Sequence, residues 1–495
     1  MHTLGGTHLV RISVGMLTVA GTSVAIKIIA VMKGLVLAQQ FGVSADLDAF
    51  YIAYLLPSFL GDLLAGAIVI ALVPLYIRTK DQDGTIAAQT FIGNILVVTT
   101  ICSIVVAVLG WALLPTLIWM FGESFQQDRL ELASRLSLFL IPVLPLSAIS
   151  AIFISVLTAR NRLGVATLAP GISILVVTVA IYGFGREWGI YSLGVGTTLG
   201  LIVQTLTLAI ILKVRDFLYR VSLRWLTGPI RSFSRQIMIV AAGGFIINFI
   251  DVIDQYSAGI LGPGHLSVLN YGNKFALAVL GPASVAVSTA IFPHMSGLVY
   301  SGDFAAARRI VKTYSIAILG VTIPVTLLLV VWSRTIVMML FERNAFTSYD
   351  TLQVTAVQRF FLLQIPLHVL GMLFVSVIWS LRVNWVFLLI NPTCLLLKIW
   401  LNHFLTAVYG VPGIGLATSI TYGVSCLLLL IATTWLMRRE EVHCTVVLEK
   451  LASRTHQTME SPRPGPNNEL GANTGTEFDP FSSDSVFYHR ARKIP

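Results

Sequence analysis

The chain has 495 residues, of which 56% are hydrophobic and only 11% charged, with a formal net charge of +10. Soluble globular domains carry about 25% charged residues, so the composition excludes a soluble protein and describes a polytopic membrane protein. The basic excess needs no nucleic-acid partner, because most of it falls in short loops, where it sets topology.

Apolar windows mark about twelve spans. Those of the first half cover residues 13–40, 48–76, 88–114, 133–158, 166–184 and 190–213; those of the second cover 236–261, 267–293, 310–332, 353–381, 385–407 and 412–437. The first run is too long for a cleavable signal peptide, and no small-residue cleavage site follows it. These spans predict an N-terminal six-helix lobe at 1–213 and a C-terminal one at 236–437. Between them, residues 214–235 mix Arg with Leu, Tyr and Trp, which suits an amphipathic linker on the cytoplasmic membrane surface. Residues 438–495 are polar and rich in Pro, Ser, Gly and Asn, and read as a disordered cytoplasmic tail. Basic residues crowd the even-numbered loops (Arg78, Lys80, Arg160, Arg162, Lys213, Arg382), while the first, seventh and eleventh loops have none. The positive-inside rule then places both termini in the cytoplasm.

Residues 41–76 form the element that organises the first half: a short turn, then a long apolar helix. Asp48 stands where an N-cap or first-turn acid would stand, and Asp62 lies about midway along the span. The shape returns at 261–294 with an offset of about 219, placing Leu47 on Leu266 and Pro74 on Pro293. Asn161 and Pro170 match Asn384 and Pro392; Gly194 and Gly196 match Gly413 and Gly415. Six spans per half start both halves on the same side, so the repeat is parallel, about an axis along the membrane normal. The expected fold is therefore all-α, with two six-helix lobes around a central cavity.

A charge at membrane depth is costly unless it faces protein, water or a partner. Span one carries Lys27 and Lys33, about 120° and about 9 Å apart on a helix. Lys27 lies level with Asp62, which makes an ion pair between them an expectation. Span seven carries Asp251 and Asp254 on one face, span eight Lys274, and span eleven Lys398 followed by Asn402. Lysines around an interlobe cavity suit an anionic head group such as a diphosphate, gripped as point charges. Against this, Lys33 or Lys274 could snorkel to an interface, and Asp251 and Asp254 could simply pair with Lys398 or Lys274. Asp251 or Asp254, with Asn402, Thr406 and Thr418, could supply the oxygen ligands of a hard cation; interhelical hydrogen bonding is the competing reading. The sequence has no Ser/His/Asp arrangement, no Cys/His metal spacing and no phosphate-binding Gly-Lys loop, which leaves an ATPase or hydrolase reading unsupported and assigns no catalytic residue, metal site or cofactor.

Three ordered motifs resemble the MurJ/MviN family of lipid-linked precursor flippases in the MOP exporter superfamily. They are FG-x5-DAF-x2-A-x2-L-P from Phe41 to Pro57, Val73-Pro74, and VID-x8-PG-x6-YGNK from Val252 to Lys274. The resemblance runs from about residue 10 to 437. It implies a non-enzymatic, alternating-access bundle in the bacterial inner membrane, passing an undecaprenyl-diphosphate-linked saccharide to the outer leaflet. It also implies basic cavity residues on the diphosphate and coupling to Na+, H+ or the membrane potential. By position, Lys27 and Lys33 fall where the family has arginines in span one, Lys274 where it has one in span eight. With Asp48, which matches the acid of the DAF motif, and Asp62, these lysines are the expected substrate contacts; Asp254 matches the acid ending span seven. Gly61 and Asp62 stand where the family often has a basic pair, which points to a divergent member, and a lipid-linked exopolysaccharide unit is an alternative cargo. A cation-coupled multidrug exporter of the related MATE group is the competing class, supported by Asp62, Asp251 and Asp254. The expected partners are the lipid-linked substrate and membrane lipids, with the protein acting as a monomer.

Overall fold

The computed structural model describes residues 3–120, 127–214 and 228–460. The chain divides into two units, Met1–Arg439 and Glu440–Pro495. Thirteen helices follow in order among the described residues: α1 Thr3–Phe41, α2 Ala45–Met120, α3 Gln127–Leu140, α4 Val143–Ala159, α5 Leu163–Trp188, α6 Tyr191–Val214, α7 Gly228–Gly259, α8 His265–Ser301, α9 Phe304–Phe341, α10 Ser348–Leu362, α11 Gln364–Ser380, α12 Trp385–Tyr409 and α13 Val411–Glu460.

Eleven stretches of these helices are long and apolar enough to cross a membrane. One of them, in α2, is two crossings. At about 1.5 Å per residue its 76 residues would reach well beyond the roughly 30 Å of a bilayer core. Gly84 breaks it, with φ 86° and ψ 174°, a conformation that a Cβ would strain. The two arms restore the twelve crossings expected from hydropathy. Pro57 and Pro74 lie inside the first arm without ending it, as membrane helices tolerate where neighbours re-satisfy the freed carbonyls.

The repeat is written in backbone conformation as well as in sequence. The fourth crossing of each half is interrupted, between α3 and α4 and again between α10 and α11. The turn before the fifth crossing holds Asn161 at φ 57° in one half and Arg382 at φ 60° in the other. This corrects the pairing of Asn161 with Asn384, which takes ordinary right-handed angles. Gly189 and Gly410 close α5 and α12 with nearly the same pair of angles, φ 54° ψ −138° and φ 64° ψ −144°.

Two large apolar clusters hold the bundle. One lies in the first half, between the arms of α2, α4, α5 and α6, and takes in Phe233 from the first turns of α7. The other joins both halves and includes Leu47, Phe50, Tyr271, Phe341, Phe346 and Leu373. Contacts between the halves run chiefly between α2 and α7, where Phe59 packs edge-on against Phe245 and Phe249. Of the expected linker at 214–235, residues 215–227 lie outside the described residues and 228–235 begin α7. The expected disordered tail begins differently: α13 runs to Glu460, through a stretch without Gly or Pro and rich in helix-forming residues, and residues 461–495 lie outside the described residues.

Candidate functional site

Asp48 lies in the first turn of α2, which Ser44 caps through Leu47 N at 3.3 Å. Its carboxylate, 0% exposed, reaches across to the other half. Oδ2 accepts from Gly264 N at 2.5 Å, and Oδ1 accepts from Ser267 N at 2.7 Å and Ser267 Oγ at 2.5 Å. The start of α8 has no side-chain cap of its own and enters through Gly264 at φ 89°. Asp48 thus caps the neighbouring repeat's helix, placing negative charge at its positive end. Around it, Ala345 N donates to Gln39 O at 3.4 Å, and Gly42 abuts the Ala345 backbone so closely that a Cβ there would collide with it. Tyr271, Phe341 and Phe346 pack beneath in tilted and edge-on contacts, with centroids 5.3–5.8 Å apart. The first, seventh and ninth loops therefore seal against one another.

Below the seal, α1 and α8 bring three lysines to one seam. Lys274 Nζ lies 4.6 Å from the Tyr271 ring centroid and borders Gly34 of α1, where an added Cβ would stand 3.9 Å from it. That ammonium is buried and makes no hydrogen bond. Lys33 lies close enough to it for the two positive charges to act on each other. Lys27 reaches across to α8 at Gly281, where an added Cβ would meet its Nζ at 3.3 Å. Among the described residues, none of the three is in an ion pair, and the expected Lys27–Asp62 pair is not formed. Asp62 of α2 and Asp251 of α7 are exposed and lie within electrostatic reach of each other on the α2–α7 side. The structure thus separates the candidate residues into a basic seam and an acidic one.

The second group forms a buried cage. Asp254 Oδ1 lies 2.9 Å from Lys398 Nζ, and Asn402 Nδ2 donates to the same oxygen at 2.8 Å. Asn402 also donates to Ser257 Oγ at 3.2 Å, and Thr418 Oγ1 reaches Asp254 Oδ2 at 3.4 Å. Lys398 also donates to Thr418 Oγ1 and, at 3.3 Å, to Ile414 O. Thr406 lies one turn beyond Asn402 with its hydroxyl buried and unpartnered, and Asp251 stays outside these hydrogen bonds. The lysine ammonium stands where these oxygens converge. Sequence reasoning missed Ser257, Ser267, Gly264 and the Ile414 carbonyl; a serine or a backbone group in an apolar helix gives no local signal.

Comparison with known proteins follows the same lines. Residues 37–456 match the family model described as lipid II flippase MurJ. The chain belongs to the MurJ family. Relatives named probable lipid II flippase MurJ include one from Thermotoga maritima, 26% identical over 408 residues and covering 80% of each chain. One from Borreliella burgdorferi is 23% identical over 397 residues, covering 80% of this chain and 78% of the relative. Among solved structures, a lipid II flippase MurJ in an inward closed conformation superposes with TM-score 0.74 at 21% identity, covering 88% of this chain and 93% of that one. An inward-facing MATE transporter of the MOP superfamily gives 0.70 at 14% identity, covering 85% and 99%. An outward-facing MATE structure gives 0.59 at 15% identity. The fold is thus that of the MOP superfamily, and MurJ proteins are flippases rather than enzymes.

Proposed function

We propose that this MurJ-family protein passes a lipid-linked saccharide, joined to its polyprenyl chain through a diphosphate, from the inner to the outer leaflet of the bacterial cytoplasmic membrane. The observation that carries the reading is the Lys274 ammonium, buried without a hydrogen bond beside Lys33 and on the same seam as Lys27. An unpaired charge in a low-dielectric seam costs several kcal/mol, a cost offset when an anion enters. Two phosphates bring the charge that three lysines would meet. The seal at the first, seventh and ninth loops supports a state closed toward the outer leaflet, with both termini cytoplasmic. The cycle then alternates access by parting the Asp48 contacts, and one chain suffices for it. In this reading the acidic seam of Asp62 and Asp251 takes the sugar, whose hydroxyls donate to carboxylates.

Reconstitution of the purified protein in proteoliposomes tests this. Lipid II and an undecaprenyl-diphosphate exopolysaccharide unit are offered side by side, with a cationic aromatic drug in parallel vesicles. Movement of one of the diphosphate lipids supports the reading and selects the cargo. Drug transport without lipid movement contradicts it.

A further inference from the structure

A lysine occupies a point in the second lobe where oxygen atoms gather as they would around a metal cation. Around Lys398 Nζ stand a carboxylate oxygen of Asp254 on α7, and the hydroxyl of Thr418 and the carbonyl of Ile414 on α13. Asn402 braces the same carboxylate from α12, and its own Oδ1 is buried with no partner. Carboxylate, hydroxyl, backbone carbonyl and amide are the donor set of hard cations. Lys398 is 0% exposed and reaches this point from within the bundle. A second, mobile cation would meet a like charge at contact distance, with only one carboxylate in the cage to share. The other nearby acid, Asp251, is exposed and forms none of the cage's bonds.

We propose that the Lys398 ammonium is a tethered cation, holding permanently the place an alkali ion would take. The second lobe of this protein then binds neither Na+ nor K+. The helices α7, α12 and α13 stay cross-braced whatever the ionic composition, and a Na+ gradient has no purchase on this site. The cage keeps its oxygens, so removing the ammonium converts it into a true ion site. This concerns the coupling of the cycle rather than its cargo, and a stability readout separates it from the substrate assignment.

The test is thermal melting of the full-length protein in detergent, in choline, Na+ and K+ chlorides at equal ionic strength. The wild-type midpoint is expected to be the same in all three. Lys398→Asn, which leaves Asp254 without its counter-charge and adds an amide oxygen, is expected to melt lower in choline. It should recover saturably as Na+ or K+ is added, because an ion that binds only the folded state stabilises it. Lys398→Gln offers a second way to open the cage. A saturable Na+- or K+-dependent rise in the wild type overturns the proposal, and that arm decides even where neither variant folds. A folded variant whose midpoint ignores both ions overturns it too, because the oxygens would then have no affinity for a cation.

Discussion

Asp48 and Ser267 are repeat-equivalent residues that touch each other. They stand 219 positions apart, the same offset that carries Leu47 onto Leu266, and Asp48 Oδ1 accepts from both the backbone and the side chain of Ser267. The pseudo-symmetry axis therefore passes close to this contact, and the acid of one repeat caps the helix of the other.

Breaking that contact should loosen the seal. Asp48→Ala leaves the amides of Gly264 and Ser267 buried without acceptors, at about 1–3 kcal/mol each. The neighbouring backbone contact between Gln39 and Ala345 supplies the reporter. Cysteines at these two positions should cross-link readily in otherwise wild-type protein, and the cross-link should block transport until it is reduced. With Asp48→Ala added, cross-linking should slow. An unchanged rate would show that the cap does not hold this end shut.

Close helix packing in the second half depends on Gly272. A Cβ there would lie 2.6 Å from Val357 Cγ1 and 2.9 Å from its Cβ. Gly272→Ala should lower stability by about 1–3 kcal/mol through overpacking. Gly183, with nothing within 4 Å of such a Cβ, is the control: Gly183→Ala should be neutral or slightly stabilising, since Ala is the better helix former. Equal loss in both variants would contradict the packing argument.

The buried pair of Asp254 and Lys398 should behave as a unit. Lys398→Met strands a carboxylate and should cost about 3–5 kcal/mol, whereas the double variant Asp254→Leu with Lys398→Met should recover most of the loss. Melting of the single and double variants in the same detergent gives the coupling. Additive losses would mean that the two charges do not stabilise each other.

Glu342 gives the fold a modest acid sensitivity in the ninth loop. Hydrogen bonds from Ser348 Oγ at 2.5 Å and Thr351 Oγ1 at 2.7 Å hold its carboxyl below the usual glutamate range. A group whose folded value is depressed contributes stability above its unfolded value, about 4.3, and loses that contribution as pH falls through the folded value. Wild type should therefore lose more of its melting midpoint between pH 6 and pH 3 than Glu342→Gln does. Parallel pH profiles would remove Glu342 from the account.

Much of this architecture was legible in the sequence because the bilayer imposes it. Hydropathy gave twelve crossings, since a helix in lipid has few alternatives, and the offset of about 219 reappears in the Asp48–Ser267 contact. The lysines of spans one and eight were legible for the same reason: a charge in an apolar run stands out. Partners were not. Asp48 read as a substrate contact, and the residues that engage it are a glycine amide and a serine 216 and 219 positions away. Asp62 and Lys27 share a depth yet face different seams, because depth follows from sequence position while azimuth follows from packing. Asp254, Asn402 and Thr418 read as an ion site and do converge, but what stands at their centre depends on where the Lys398 chain bends.

The most direct test of the central claim is the affinity of the purified protein for an undecaprenyl-diphosphate-linked saccharide, measured beside the corresponding monophosphate lipid. Wild type should favour the diphosphate. Lys274→Ala should weaken that binding tenfold or more, about 1.4 kcal/mol, and Lys274→Arg should restore it. Folded Lys27→Ala, Lys33→Ala and Lys274→Ala variants that all bind the diphosphate lipid as wild type does would contradict the account.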